Sequence, residues 1–142
     1  MLERVNIRSA VPVYTQIENE VSFAIASGKL KPGDRLPTVR ELAERLKTNP
    51  NTVAKSFRDL ELRGYLNTYR GRGIFVDKNA TERCKRDCRR QIIGRLYCVL
   101  TEAKAAGYVK KDLDEMMKVC LGAEGGPYDE LPADVSKLAD GR

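Results

Sequence analysis

The sequence predicts a mainly α-helical chain carrying one small β-hairpin, and two observations lead there. Apolar residues recur at three- and four-residue spacing over five separate stretches, the pattern of helices with one buried face. Strict alternation is confined to Tyr65–Val76, where two short runs flank a glycine-rich turn.

Each element has its own signals. The first helix is expected from Val11 to Ser27, with Ser9 as cap, Pro12 in the first turn and Gly28 as the stop. Tyr14, Ile17, Val21, Ala24 and Ile25 form its apolar face. The connector GKLKPGDRLP follows, with a strong turn at Pro32-Gly33-Asp34 and Leu30 and Leu36 anchoring its ends as short β bridges. A second helix covers Thr38–Leu46 with Val39, Leu42, Ala43 and Leu46 inward, and Glu41 stands at capping-box distance from Thr38.

The third helix, residues 50–63, opens on Asn49-Pro50: Asn49 accepts from N–H groups that have no partner in the helix, and Pro50 suits the first position. Its apolar stripe of Val53, Phe57 and Leu60 is thin, and Asn51, Thr52, Lys55, Ser56 and Arg58 fill the other faces. Gly64 stops it. The runs 65–69 and 73–76 then form a hairpin whose tip is Arg70-Gly71-Arg72-Gly73. Helix, helix, turn, helix and hairpin in this order make a winged helix-turn-helix, assigned to residues 1–78.

A long helix from Asn79 to Ala106 carries Cys88, Ile92, Leu96, Val99, Leu100 and Ala103 as one continuous stripe. Gly107 ends it, and a shorter helix, Val109–Leu121, turns Leu113, Met116, Met117 and Cys120 inward. The long helix extends past the short one, so part of its stripe needs a second copy of the chain. Residues 79–121 are therefore expected to hold a homodimer. The remainder, 122–142, is rich in Gly, Pro and acid and is expected to be a flexible acidic tail.

Composition narrows the function. The chain has 142 residues, a formal charge of +6 and no His, which removes the commonest general base and the commonest metal ligand. No nucleophile–base pair, phosphate-cradling loop or metal cluster is evident, so an enzyme is not expected and no cofactor is called for. Positive charge is concentrated at +6 over residues 29–78 and +4 over 79–99, while 100–142 sum to −3. A basic surface of that kind meets phosphate or another polyanion. Four cysteines do not make a disulfide framework at this length. With neither a signal-peptide run nor a membrane-length apolar stretch, the expectation is a cytoplasmic chain with reduced thiols and no membrane partner.

The run PVYTQIENEVSFAIASGKLKPGDRLPTVRELAERLKTNPNTVAKSFRDLELRGYLNTYRGRGIFV, residues 12–76, closely resembles the DNA-binding domain of GntR-type bacterial transcription regulators. The likeness includes the YxQI start, the GxLxPGDxLPTxRELA segment, NPNTV, LExxGYL and the GxGxFV wing. The short remainder resembles the YtrA subgroup, in which a pair of helices serves dimerisation. That resemblance implies a homodimeric repressor of its own operon, one encoding an ABC transporter, with an inverted-repeat operator on double-stranded DNA. It leaves room for a small-molecule effector, unidentified from the sequence.

On this reading the third helix lies end-on in the major groove. Asn51 offers donor and acceptor to a base edge, Thr52 reaches phosphate or a thymine methyl, and Lys55 reaches guanine or phosphate. Asn49 is a candidate DNA contact in the same groove, with the helix cap alone as its other reading. Arg40 matches an arginine with which the family contacts DNA, and Thr38 is placed for phosphate. Arg70, Gly71, Arg72 and Gly73 bring the wing to the minor groove, where glycine allows close approach and arginine meets strong negative potential. Two alternatives stand beside it. Cys84 and Cys88, one turn apart among Lys and Arg that favour thiolates, could serve a thiol- or soft-metal-responsive regulator; or the winged domain could serve protein–protein assembly without a specific operator.

Overall fold

The computed structural model describes residues 2–141, which divide into two compact units, one ending at Arg89 and the other starting at Arg90. The first holds α1 (Val13–Ala26), β1 (Arg35–Leu36), α2 (Val39–Leu46), α3 (Pro50–Leu62), β2 (Leu66–Tyr69), β3 (Gly73–Val76) and the opening turns of α4 (Ala80–Ala105). The second holds the rest of α4, α5 (Lys110–Gly122) and α6 (Ala133–Ala139).

In the first unit α3 is central, packing on α1, α2 and β2. Its Val53, Phe57 and Leu60 join Ile17, Val21 and Ile25 of α1 and Leu42 and Ala43 of α2 in one core. Its thin stripe suffices because α3 is covered from three directions. The strands form one antiparallel sheet in the order β1-β3-β2, with Leu36 opposite Ile74 and Leu66 opposite Val76. Beyond β1, Gly33 N–H donates to Val76 O and Val76 N–H to Asp34 O, tying the PGD turn to the hairpin.

Helix α1 departs from expectation at its start. It begins at Val13 after Pro12, and Ser9 Oγ instead accepts from Val11 N–H at 3.2 Å. Gln16, a polar residue on the buried side, is wholly enclosed: its Oε1 accepts from Asn6 N–H, and its Nε2 donates to Asn6 O and Val11 O. The amide fastens the N-terminal segment to the helix, and Leu2 completes the core from that segment.

Glu18, one turn after Tyr14, is also buried. Its Oε2 accepts from Arg63 at 3.2 Å, while Oε1 meets no donor among the described residues. Burial, and then the Asp59 carboxyl against it, push the Glu18 pKa up, with Arg63 opposing. A carboxyl whose folded pKa is raised stabilises the fold below its ordinary value, and that contribution is lost as pH rises through the folded pKa. Ionised Glu18 is therefore a cost at neutral pH. Glu18→Gln, which supplies an N–H beside Asp59, is expected to raise stability at pH 7 by about 1 kcal/mol. Thermal denaturation should show the two proteins converging as pH falls toward the ordinary carboxyl value of 4.5.

The first unit reaches past the division expected at residues 78/79. Ala80 and Cys84, on α4, are core residues beside Tyr65, whose hydroxyl donates to Asp87. Arg83 and Arg63 favour the Cys84 thiolate but are outweighed. Burial, followed by Cys88 and Asp87, pushes the Cys84 thiol up to about 12, and burial also raises Cys88. The local charge in RCKRDCRR misleads because it belongs to the other faces of the helix. All four cysteines are free, and among the described residues no cluster of three or more His, Cys, Asp or Glu could hold a metal ion.

In the second unit the α4 stripe lies open. Ile92, Leu96 and Val99 are 56, 46 and 59 % exposed, and Ile93 and Tyr97 widen the apolar face at 52 and 69 %. Leu100 and Ala103 are half-buried, as Cys88 is within the first unit. On α5, Leu113 and Met116 are half-buried, whereas Met117 and Cys120 are exposed rather than turned inward. The neighbour of α5 is α6, a helix where no regular structure was expected. Pro132 starts α6 and Tyr128 is buried ahead of it, so a Gly- and acid-rich segment still finds an apolar anchor. No described helix is long and apolar enough to cross a membrane.

Candidate nucleic-acid interface

The leading edge of α3 is built by local chemistry. Asn49 takes an extended conformation and its Oδ1 accepts from Asn51 N–H at 2.9 Å, with Pro50 at the first helical position. One N–H that α3 cannot satisfy internally is thereby paired, and the first turn is fixed without help from a neighbouring element. Asn49, Asn51 and Lys55 are exposed and Thr52 half-exposed, while Val53 and Ser56 turn inward. Ser56 Oγ donates within reach of both Thr52 O and Tyr14 O, at 3.1 Å each, pinning this end of α3 to α1.

The turn before α3 is equally determined. Helix α2 ends with Lys47 in the left-handed region, φ 52°, and Thr48 N–H donates back to Ala43 O. At the other end of α2 both bonds of the capping box form: Glu41 N–H to Thr38 Oγ1 at 3.1 Å, and Thr38 N–H to Glu41 Oε2 at 2.8 Å. These bonds from Thr38 hold the Glu41 carboxyl below its usual range. Arg40, on the outward face of α2, is exposed and has no salt bridge among the described residues.

The hairpin tip is closed by Arg72 N–H donating to Tyr69 O, with Gly71 and Gly73 at φ 78° and 118°. Arg70, Gly71 and Arg72 are exposed and Gly73 half-buried. Arg35, distant in sequence, covers Gly73. The guanidinium of Arg35, brought in by β1–β3 pairing, lies 3.0 Å from where a Cβ would stand. The wing thus carries three arginines rather than two. No local signal exposes the third, because Arg35 and Gly73 meet only through a strand pairing across the intervening helices.

Lys55 is the second difference. Its ammonium is not loose in solvent but rests on the Tyr14 ring, 3.9 Å from the centroid. The predicted α2, α3 and wing residues all belong to the first unit, and the predicted dimerisation residues beyond Cys88 belong to the second.

A helix offered by its capped first turn, beside an arginine-bearing hairpin on a helix-turn-helix core, defines a winged helix-turn-helix transcription regulator. Residues 13–76 match the family model described as bacterial regulatory proteins, gntR family. The chain is 36 % identical over 124 residues to the HTH-type transcriptional repressor YtrA of Bacillus subtilis, covering 87 % of this chain and 95 % of that one. It superposes on a transcriptional regulator from Oenococcus oeni with a TM-score of 0.65 at 30 % identity, over 84 % of this chain and 99 % of the other. For YtrA from Sulfolobus acidocaldarius, a GntR-family transcription factor, the values are 0.54, 34 %, 69 % and 99 %. The chain belongs to the GntR family and is similar to YtrA along most of its length.

Proposed function

We propose that the protein is a homodimeric repressor that binds an inverted-repeat operator, with α3 in the major groove and the wing in the minor groove. The observation that carries this reading is the open first turn of α3: its cap is complete, its core side is buried, and its polar side chains face outward. Asn51 and Thr52 read base edges; Arg40 and Thr38 grip phosphate; Arg70 and Arg72, on a tip that glycine makes narrow, enter the minor groove, and Arg35 extends their charge. The exposed α4 face supports the dimer, with Ile92, Leu96 and Val99 at its centre. Repression is the role named for the YtrA relative. No catalytic step is part of this reading, and raised thiols at Cys84 and Cys88 give no support to a thiol-responsive one.

Arg40→Ala separates positioning from reading. If Arg40 holds phosphate, the variant loses affinity for specific and scrambled duplexes alike, and the slope of log K against log salt flattens by about one unit per subunit. Unchanged binding at every salt concentration would remove Arg40 from the interface.

A further inference from the structure

The contact between Lys55 and Tyr14 joins residues far apart in sequence, and neither the helix cap nor the core requires it. Tyr14 is in the first turn of α1, half-exposed, and its own carbonyl accepts from Ser56 Oγ. Lys55 precedes Ser56 on α3, so the bond that pins the two helices also sets the ring beneath the ammonium. Lys55 further favours the charged form of Glu18, one turn along α1, which keeps the ammonium near α1.

We propose that Tyr14 is a positioning residue for the α3 surface, holding the Lys55 ammonium over its ring so that the charge meets DNA already oriented. The inference rests on the reading of α3 as the DNA-facing helix. A free lysine side chain loses much of its rotamer entropy when a contact orders it. A ring under the ammonium, an interaction of about 0.5–1 kcal/mol at an exposed site, supplies part of that ordering before DNA arrives. It engages the charge from one side and leaves N–H groups of the ammonium for an acceptor on the other. Tyr14 on this account touches no DNA; its effect passes entirely through Lys55.

The test is a double-mutant cycle on the full chain, titrated against a duplex selected by the wild-type protein. Tyr14→Phe keeps the ring and is expected to bind within twofold of wild type. Tyr14→Leu is expected to weaken binding about 5- to 30-fold over the two half-sites, the size of two lost exposed cation–π contacts. Lys55→Met, which keeps the aliphatic stem, should weaken it at least as much, and adding Tyr14→Leu to Lys55→Met should cost nothing more. A purely structural Tyr14 would instead give additive losses; that result, or an unchanged Tyr14→Leu, overturns the proposal. Lys55→Met binding like wild type also overturns it, and Asn51→Ala then tells whether the α3 reading itself has failed. Should Tyr14→Leu lower the melting temperature enough to compromise the titration, Tyr14→Met provides the same comparison.

Discussion

Replacing Ile92 and Leu96 together by aspartate is expected to make the protein monomeric at micromolar concentration and to cut operator affinity roughly 100-fold or more. Both side chains stand on the open face of α4, 56 and 46 % exposed. An apolar stripe of this length is costly to leave in water and gains about 25 cal/mol for each Å² it buries. A carboxylate at its centre must be desolvated for the face to close, which two copies cannot do without a partner charge. The affinity loss follows because two winged domains joined at a fixed spacing bind the second half-site at high effective concentration, whereas separated domains each bind alone. Neither residue is in the core of the first unit, so the variant should keep its helical circular dichroism and its binding to a single half-site. Light scattering and titration against one and two half-sites read both effects. A variant that stays dimeric would place the interface elsewhere.

Asn51→Ala is expected to have the largest effect on specificity. The side chain is exposed on the first turn of α3, while its backbone N–H is already paired with Asn49 Oδ1, so the amide remains available in full. A bidentate Asn–adenine pair discriminates by about 1–3 kcal/mol, and a symmetric operator contains it twice. The loss should fall on the specific duplex alone, leaving binding to scrambled DNA and its salt slope as they were. The cap survives because it belongs to Asn49, so stability should be unchanged. Equal losses on both duplexes would make Asn51 a phosphate contact.

What could be read from the sequence depended on how local its cause is. The α2 capping box and the Asn49-Pro50 start of α3 arise within four residues, and both form as the spacing predicts. The hairpin was legible for the same reason, its register being set by a short glycine turn. The start of α1 was not, because the Ser9 hydroxyl serves the backbone two residues on instead of the helix. Cys84 read as part of a basic face because its neighbours in sequence are charged, yet helical geometry turns it onto the same side as Ala80 and into the core. Helix α6 was hidden by Gly, Pro and acid that lower local propensity, while Tyr128 supplies burial. Arg35 at the wing and Lys55 over Tyr14 depend on contacts between distant segments, and no window of sequence contains both partners.

Selection of duplexes from a random pool by the wild-type protein tests the central claim most directly. The account predicts enrichment of an inverted repeat whose half-sites lie about one helical turn apart, centre to centre, as two recognition helices on one face of a duplex require. A pool that enriches no sequence, while the protein still forms its dimer, would contradict it.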